Sequence, residues 1–265
     1  MVQPRVLVLR APGTNCDAEA AYAFELAGGK VERLHINRVL QSPAQLDEFQ
    51  ILCLPGGFSY GDDVAAGRIL GNQLRQHLAE RLQAFKAAGK LILGICNGFQ
   101  VLLKSGVLLP FDSDGSAPAT LAWNASGHFE DRWVPLHACG RRSVFFEGID
   151  RLYLPVAHAE GRFVPRDERT FARLESEGQL VLRYGANSAA SGSTALAPTV
   201  SYPDNPNGSL GDVAGVCDAS GRVCGLMPHP ERNVDPTHHP SWTRRPLEEA
   251  GDGLRVFQNA IRYFV

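Results

Sequence analysis

Leu91-Ile92-Leu93-Gly94-Ile95-Cys96-Asn97-Gly98-Phe99-Gln100 is the stretch from which the rest of the chain can be read. An apolar run leads into a cysteine with glycine at both second-neighbour positions, and Phe99 to Lys104 then reads as helix. Strand, tight turn and helix around G-x-nucleophile-x-G is the nucleophile-elbow pattern, here with Cys96 in the serine position. Such a turn demands unusual backbone angles at the nucleophile, and side chains at Gly94 and Gly98 would crowd it. The following helix points its N-terminal partial charge at the sulfur and favours the thiolate. The competing reading is a buried structural cysteine beside a turn.

Upstream, Val6 to Leu9 reads as a buried strand. A turn at Ala11 to Asn15 follows, with Thr14 or Asn15 as cap for a helix from Asp17 to Ala27. Gly28-Gly29 closes that helix and Val31 to Ile36 forms a second strand, a βαβ opening that implies an α/β fold with a parallel sheet. Ile51 to Leu54 is a third strand, ending in Pro55-Gly56-Gly57-Phe58-Ser59-Tyr60-Gly61-Asp62-Asp63. A glycine pair at the carboxyl end of a strand frees backbone N–H groups for a ligand. Beside the elbow, the N–H groups of Gly57 and Asn97 form the expected oxyanion hole; alone, the pair would be a plain turn. No phosphate-loop ending is present. Leu70, Leu74, Leu78, Leu82 and Phe85 predict one amphipathic helix stopped by Gly89.

Downstream the composition changes. Residues 122–136 and 142–146 predict strands of a mixed region, Ala186 to Pro206 a mobile loop or insertion, and 213–216 with 222–227 a hairpin. Residues 233–245 are rich in turn formers, and Leu254, Phe257, Ile261 and Phe264 mark a closing amphipathic helix.

With 265 residues, 44% hydrophobic and 20% charged, the chain has material for a sizeable core, and it is expected to form a single domain over 1–265. A net charge of −2 gives no nucleic-acid or membrane-surface signature, and no apolar run reaches spanning length. The six cysteines (16, 53, 96, 139, 217 and 224) form no C-x-x-C pair, which fits reduced thiols in the cytoplasm. Cys217 and Cys224 are expected as cross-strand neighbours.

A thiolate nucleophile needs a base, and the base an orienting acceptor. His229 and Glu231 stand two apart between prolines that favour extended chain, so both side chains would leave one side, His229 facing Cys96. The alternative is a surface histidine with Glu231 paired to Arg232. His238-His239 lacks a cysteine or carboxylate cluster, so no metal is expected. Asp62-Asp63 reads as a solvated turn, and His158 with Glu160 as a wall of the substrate pocket.

These motifs, in this order, resemble class I (triad-type) glutamine amidotransferases. Gly13-Thr14-Asn15-Cys16-Asp17, Leu54 to Asp62, Gly94 to Gln100, Asn205-Pro206-Asn207-Gly208-Ser209 and Met227 to Arg232 look most like the glutaminase-subunit family of phosphoribosylformylglycinamidine synthases. The likeness covers nearly the whole chain. It implies a flavodoxin-like class I glutamine amidotransferase fold, a mostly parallel sheet flanked by helices with an added mixed β region. It implies that Cys96 attacks the glutamine side-chain amide, that His229 protonates the departing ammonia and then activates water, and that Glu231 orients His229. Gly56, Phe58, Ser59, Tyr60, Gln100 and His158 form the expected substrate-contacting set. Because the chain begins almost at its first strand, the resemblance implies a separate synthetase subunit, joined by a small bridging subunit. That synthetase uses ATP and Mg2+, while this chain binds no cofactor itself. The segments near 186–206 and 233–250 are expected to be loop-rich, with 186–201 and 233–250 longer than is usual for the family. The rival from another class is a stand-alone cysteine hydrolase or peptidase on a similar sheet; a third is a non-catalytic module.

Overall fold

The computed structural model describes residues 3–139, 142–185 and 198–265. β1 (Arg5–Arg10) carries Val6 to Leu9 buried on both faces, as a parallel strand covered by helices requires. α1 (Asp17–Leu26) returns the chain to β2 (Lys30–His35), parallel to β1, and α2 (Ile36–Gln41) leads toward β3 (Ile51–Leu54). Next come α3 (Arg68–His77), α4 (Ala79–Ala87), β4 (Leu91–Ile95) and α5 (Asn97–Ser105). The second half contributes β5 (Ala119–Ala122), β6 (Glu130–Ala138), β7 (Arg151–His158), β8 (Arg162–Pro165), α6 (Glu168–Ser176), β9 (Leu180–Tyr184), β10 (Val213–Cys217), β11 (Val223–Leu226) and α7 (Leu254–Arg262).

Nine of these strands form one sheet in the order β2-β1-β3-β4-β11-β10-β9-β6-β7. From β2 to β11 every pairing is parallel, in the 2-1-3-4-5 order of flavodoxin-like sheets. From β11 to β7 every pairing is antiparallel. The expected mixed β region is therefore a continuation of the same sheet, with β5 and β8 as a separate ribbon. α5 packs on β3, β4 and β11. α1 packs on β1 and β2 and against α7, where Phe24 and Phe257 meet edge to face at 4.9 Å. Among the described residues no helix is long and apolar enough to cross a membrane.

The hairpin places Cys217 opposite Cys224, as its spacing predicts; both thiols are free, and burial pushes Cys217 up to about 12. Other expectations change. The single helix over 70–85 is two helices meeting at Leu78 (φ −125°). A strict four-residue apolar step drifts round a 3.6-residue helix, and the break lets Leu70, Leu74, Leu82 and Phe85 all face the core. Of the strand expected at 142–146, Val144–Phe146 is a 3-10 turn. Phe145 and Phe146 are both buried, which alternation in a strand with one buried face would not allow. Neither Thr14 nor Asn15 caps α1: Cys16 is the N-cap residue, and Thr14 Oγ1 instead accepts from Ala11 N at 3.0 Å. Within the 186–206 segment, 186–197 lie outside the described residues. The remainder is turn and bend, anchored where the Thr199 and Val200 amides donate to Asp212.

Candidate active site

Four neighbouring parallel strands, β1, β3, β4 and β11, release their loops at one edge of the sheet. β4 delivers Cys96 at φ +51°, ψ −107°, a backbone region costly for a residue with a side chain. The turn is held because Cys96 N donates to Leu226 O at 2.7 Å while Cys96 O accepts from the N–H groups of Phe99 and Gln100. A Cβ at Gly98 would lie 1.8 Å from Leu54 O, and one at Gly94 would lie 2.5 Å from Leu102 Cδ1. Both glycines are thus required by close packing, as the motif predicts. Cys96 is 4% exposed, and its sulfur lies 3.7 Å from Ala157 O, at the end of β7.

Beyond β11, His229 is extended and its N–H donates to Pro155 O at 2.8 Å. Pro230–Arg232 then forms a 3-10 turn, not the extended segment expected, because Pro230 fits the first position of a helical turn. The turn still brings His229 Nδ1 to 2.6 Å from Glu231 Oε1, so Glu231 pairs with His229 and not with Arg232. Burial opposes a charged imidazole here. The Glu231 carboxylate, followed by the Cys96 and Cys16 sulfurs, outweighs it and holds His229 well above its usual value. With Nδ1 bonded to the carboxylate, His229 Nε2 has no partner among the described residues.

The glycine pair wedges between these parts. A Cβ at Gly56 would strike the His229 ring at 2.7 Å and sit 3.2 Å from Cys16 Sγ. Gly57 adopts φ +136°, and a side chain there would meet Asn15 N at 2.7 Å. Phe58 N donates to Gly13 O and Cys16 N to Gly56 O, so the loop after β1 splints the pair. The N–H groups of Gly57 and Asn97 find no partner among the described residues.

The other expected substrate contacts divide. Ser59 is buried, and its Oγ has no partner among the described residues. Phe58 is 44% exposed and leans on Phe129 at the rim, while Tyr60 spends its hydroxyl on Gln73 Oε1 at 2.9 Å. Asn97 Oδ1 accepts from Ser59 N, and its amide donates to Asp62 Oδ1 (3.1 Å) and Gln100 Oε1 (2.8 Å). Gln100 in turn donates to Glu160 O at 2.6 Å. Asp62 is therefore no solvated turn residue; burial raises its carboxyl above the usual range, and it ties the loop to α5.

His158 is not a wall of an open pocket. Its ring is 3% exposed and boxed by Gly161, with Nδ1 3.1 Å from Asn124 Oδ1 and Nε2 3.5 Å from Asn207 Nδ2. Asn207 also donates to Gly161 O and to the Tyr184 hydroxyl. Burial, with the nearby positive charge of His229, lowers His158 to about 3. It stays neutral, packed between Asn124, Asn207 and Gly161. Asn124, Tyr184, Cys16 and Asp62 were not among the expected site residues. Cys16, Asp62 and the 205–209 turn carried a local signal, as parts of family-like motifs, whereas Asn124 and Tyr184 carried none. His239 stacks near Trp133 and Tyr153, and His238 completes a cap with Asp235.

Residues 3–264 match the family described as the CobB/CobQ-like glutamine amidotransferase domain. Phosphoribosylformylglycinamidine synthase subunit PurQ of Dehalococcoides mccartyi is 47% identical, covering 99% of this chain and 98% of the relative. The subunit of the same name from Methanococcus maripaludis is 38% identical, again over 99% and 98%. A chain of the solved structure of PurLQS from Thermotoga maritima superposes with a TM-score of 0.73 at 32% identity, covering all of both chains. A full-length family match, relatives of this identity and the paired elbow and H-P-E turn agree: the chain belongs to the CobB/CobQ-like glutamine amidotransferases, in the group formed by the PurQ subunits of phosphoribosylformylglycinamidine synthase.

Proposed function

We propose that the chain hydrolyses glutamine to glutamate and ammonia through Cys96, His229 and Glu231, and hands the ammonia to a synthetase subunit that makes formylglycinamidine ribonucleotide. One observation carries this reading. The 2.6 Å His229–Glu231 pair leaves Nε2 unpartnered, while Cys96 sits on the neighbouring strand's strained elbow. The Cys96 thiolate adds to the side-chain amide carbon of glutamine. The carbonyl oxygen becomes an oxyanion received by the N–H groups of Gly57 and Asn97. Protonated His229 gives its Nε2 proton to the amide nitrogen, the C–N bond breaks, and ammonia leaves with a γ-glutamyl thioester behind it. Now neutral, His229 takes a proton from water and keeps it, hydroxide adds to the thioester carbon, the C–S bond breaks to restore the thiolate beside the imidazolium, and the product leaves as glutamate once its new carboxyl has released its proton to solvent. Glu231 keeps Nδ1 protonated throughout, so Nε2 carries the moving proton. Ser59 and the rim at Phe58 are the contacts proposed for the glutamine backbone groups.

The partners follow from the relatives: a synthetase subunit and a small third subunit, as in the PurLQS assembly of Thermotoga maritima. ATP and Mg2+ serve the synthetase, this chain needs no cofactor for its half of the reaction, and the assembly works in the cytoplasm. Cys96→Ala in the assembled complex is expected to abolish glutamine-dependent synthesis and leave ammonia-dependent synthesis intact. Loss of both activities in an intact complex would sink the proposal. Ester or peptide turnover by the isolated chain, with no trapped glutamyl thioester, would favour the hydrolase alternative.

A further inference from the structure

We propose that Cys16 is a positioning residue for His229: its sulfur, gripped by the Arg232 guanidinium, fixes the imidazole against Gly56. The inference rests on the glutaminase reading above and adds a residue to it.

Cys16 is 1% exposed and ends the loop after β1. Arg232 Nη2 donates to Cys16 Sγ at 3.1 Å, joining residues 216 positions apart. The sulfur also lies 3.2 Å from Asn15 Oδ1. A Cβ on Gly56 would touch both Cys16 Sγ and the His229 ring, so sulfur and imidazole rest on the same glycine. One heteroatom from each of Cys16, His229 and Glu231 lies within 4.8 Å of the other two. His229 is thus held on two sides, by the Glu231 carboxylate at Nδ1 and by a large polarisable sulfur beside it.

The charged and titratable groups around the imidazole are Glu231 on its own turn, Cys16 from the loop after β1, Cys96 from the elbow, Arg232 behind Cys16 and neutral His158 at the end of β7. Burial disfavours the imidazolium, and Glu231, Cys96 and Cys16 together overcome it. Burial likewise disfavours the Arg232 charge, which the Cys16 sulfur and Glu231 restore. Cys16 N also donates to Gly56 O, so the same residue registers the Gly56-Gly57 segment against the base. One residue therefore touches both parts of the site, the base through its sulfur and the Gly56-Gly57 segment through its backbone N–H.

A glutamine-analogue diazo ketone tests this in the assembled complex. The diazo carbon takes a proton from the site, and the Cys96 thiolate then displaces dinitrogen to form a thioether. The rate thus reads the imidazolium directly. Cys16→Ala is expected to slow alkylation of Cys96 about tenfold at neutral pH and to move the basic limb of the rate profile to lower pH. Cys16→Ser, which can still accept from Arg232, recovers part of both effects. Arg232→Gln behaves like Cys16→Ala, and the double variant is no slower than the slower single, because the two side chains act as one strut. Thermal melts report folding; if Cys16→Ala does not fold, the serine and Arg232 variants carry the test. A wild-type basic limb in all variants, or fully multiplicative losses in the double, overturns the positioning role. A wild-type complex not labelled at Cys96 counts against the glutaminase reading itself. The His229 ring titration followed by NMR in the same variants then decides the strut separately: unmoved by Cys16→Ala, it is refuted; shifted down, it stands.

Discussion

Two histidines lie buried near the same thiol, and they are pushed in opposite directions. His229 is 1% exposed and His158 is 3% exposed, so depth does not separate them. Partners do. His229 donates to a carboxylate at 2.6 Å, whereas His158 is bracketed by two side-chain amides, Asn124 and Asn207. A carboxylate repays the desolvation of an imidazolium and amides do not, so one ring is held charged and the other sits at about 3. The charge of His229 lowers His158 further. On the proposed mechanism the site has one proton donor, and the second ring stays neutral between its two amides.

The largest test gives His229 the surroundings of its neighbour. Glu231→Gln replaces the carboxylate by an amide and is expected to lower kcat/KM for glutamine by about 10^3 to 10^4 in the complex, with KM little changed. A loss under tenfold would mean that the carboxylate does not set the state of His229. The converse change is Asn124→Asp, which places a carboxylate beside His158 Nδ1. It is expected to raise His158 from about 3 toward neutrality and to reduce glutaminase activity about tenfold, through repulsion between two imidazolium rings. NMR titration of the two rings measures the first effect and steady-state rates the second.

The smallest effect concerns stability. A neutral buried His158 contributes stability that is present above the unfolded value near 6.5 and is lost as pH falls toward about 3. His158→Gln removes that titration, so its unfolding midpoint in urea should decline less steeply than wild type between those limits. His229 works the other way. Its contribution is full below 6.5 and is lost as pH rises through its elevated folded value.

The same contrast explains what could be read from the sequence. The elbow, the glycine pair and H-P-E are each local, because each chemistry is set by residues a few positions apart on one loop. The parallel sheet followed from the βαβ opening, whereas its flavodoxin-like arrangement was legible only through the family resemblance. His158 looked like a pocket wall because Asn124 and Asn207, which enclose it, lie 34 and 49 positions away. Cys16 carried no role because Arg232 lies at the other end of the chain. The break at Leu78 left no mark in an apolar row that continues across it, and Phe145-Phe146 resembled strand because aromatic content does not reveal which faces are covered.

The parallel pairing of β4 with β11 has a consequence for a chain made from its N-terminus. β1, β3 and β4 can pair as soon as they are synthesised, which leaves Cys96 at the end of β4 before Leu226 is present to accept from its N–H. Ile92 must wait for Val223, and the thiol for His229 just beyond it. On the proposed mechanism, nascent chains and products truncated before the H-P-E turn therefore hold a bare sulfhydryl without its proton donor, incapable of releasing ammonia. Catalytic competence arrives with the most distant contact in the sheet's parallel half, the last to close on topological grounds.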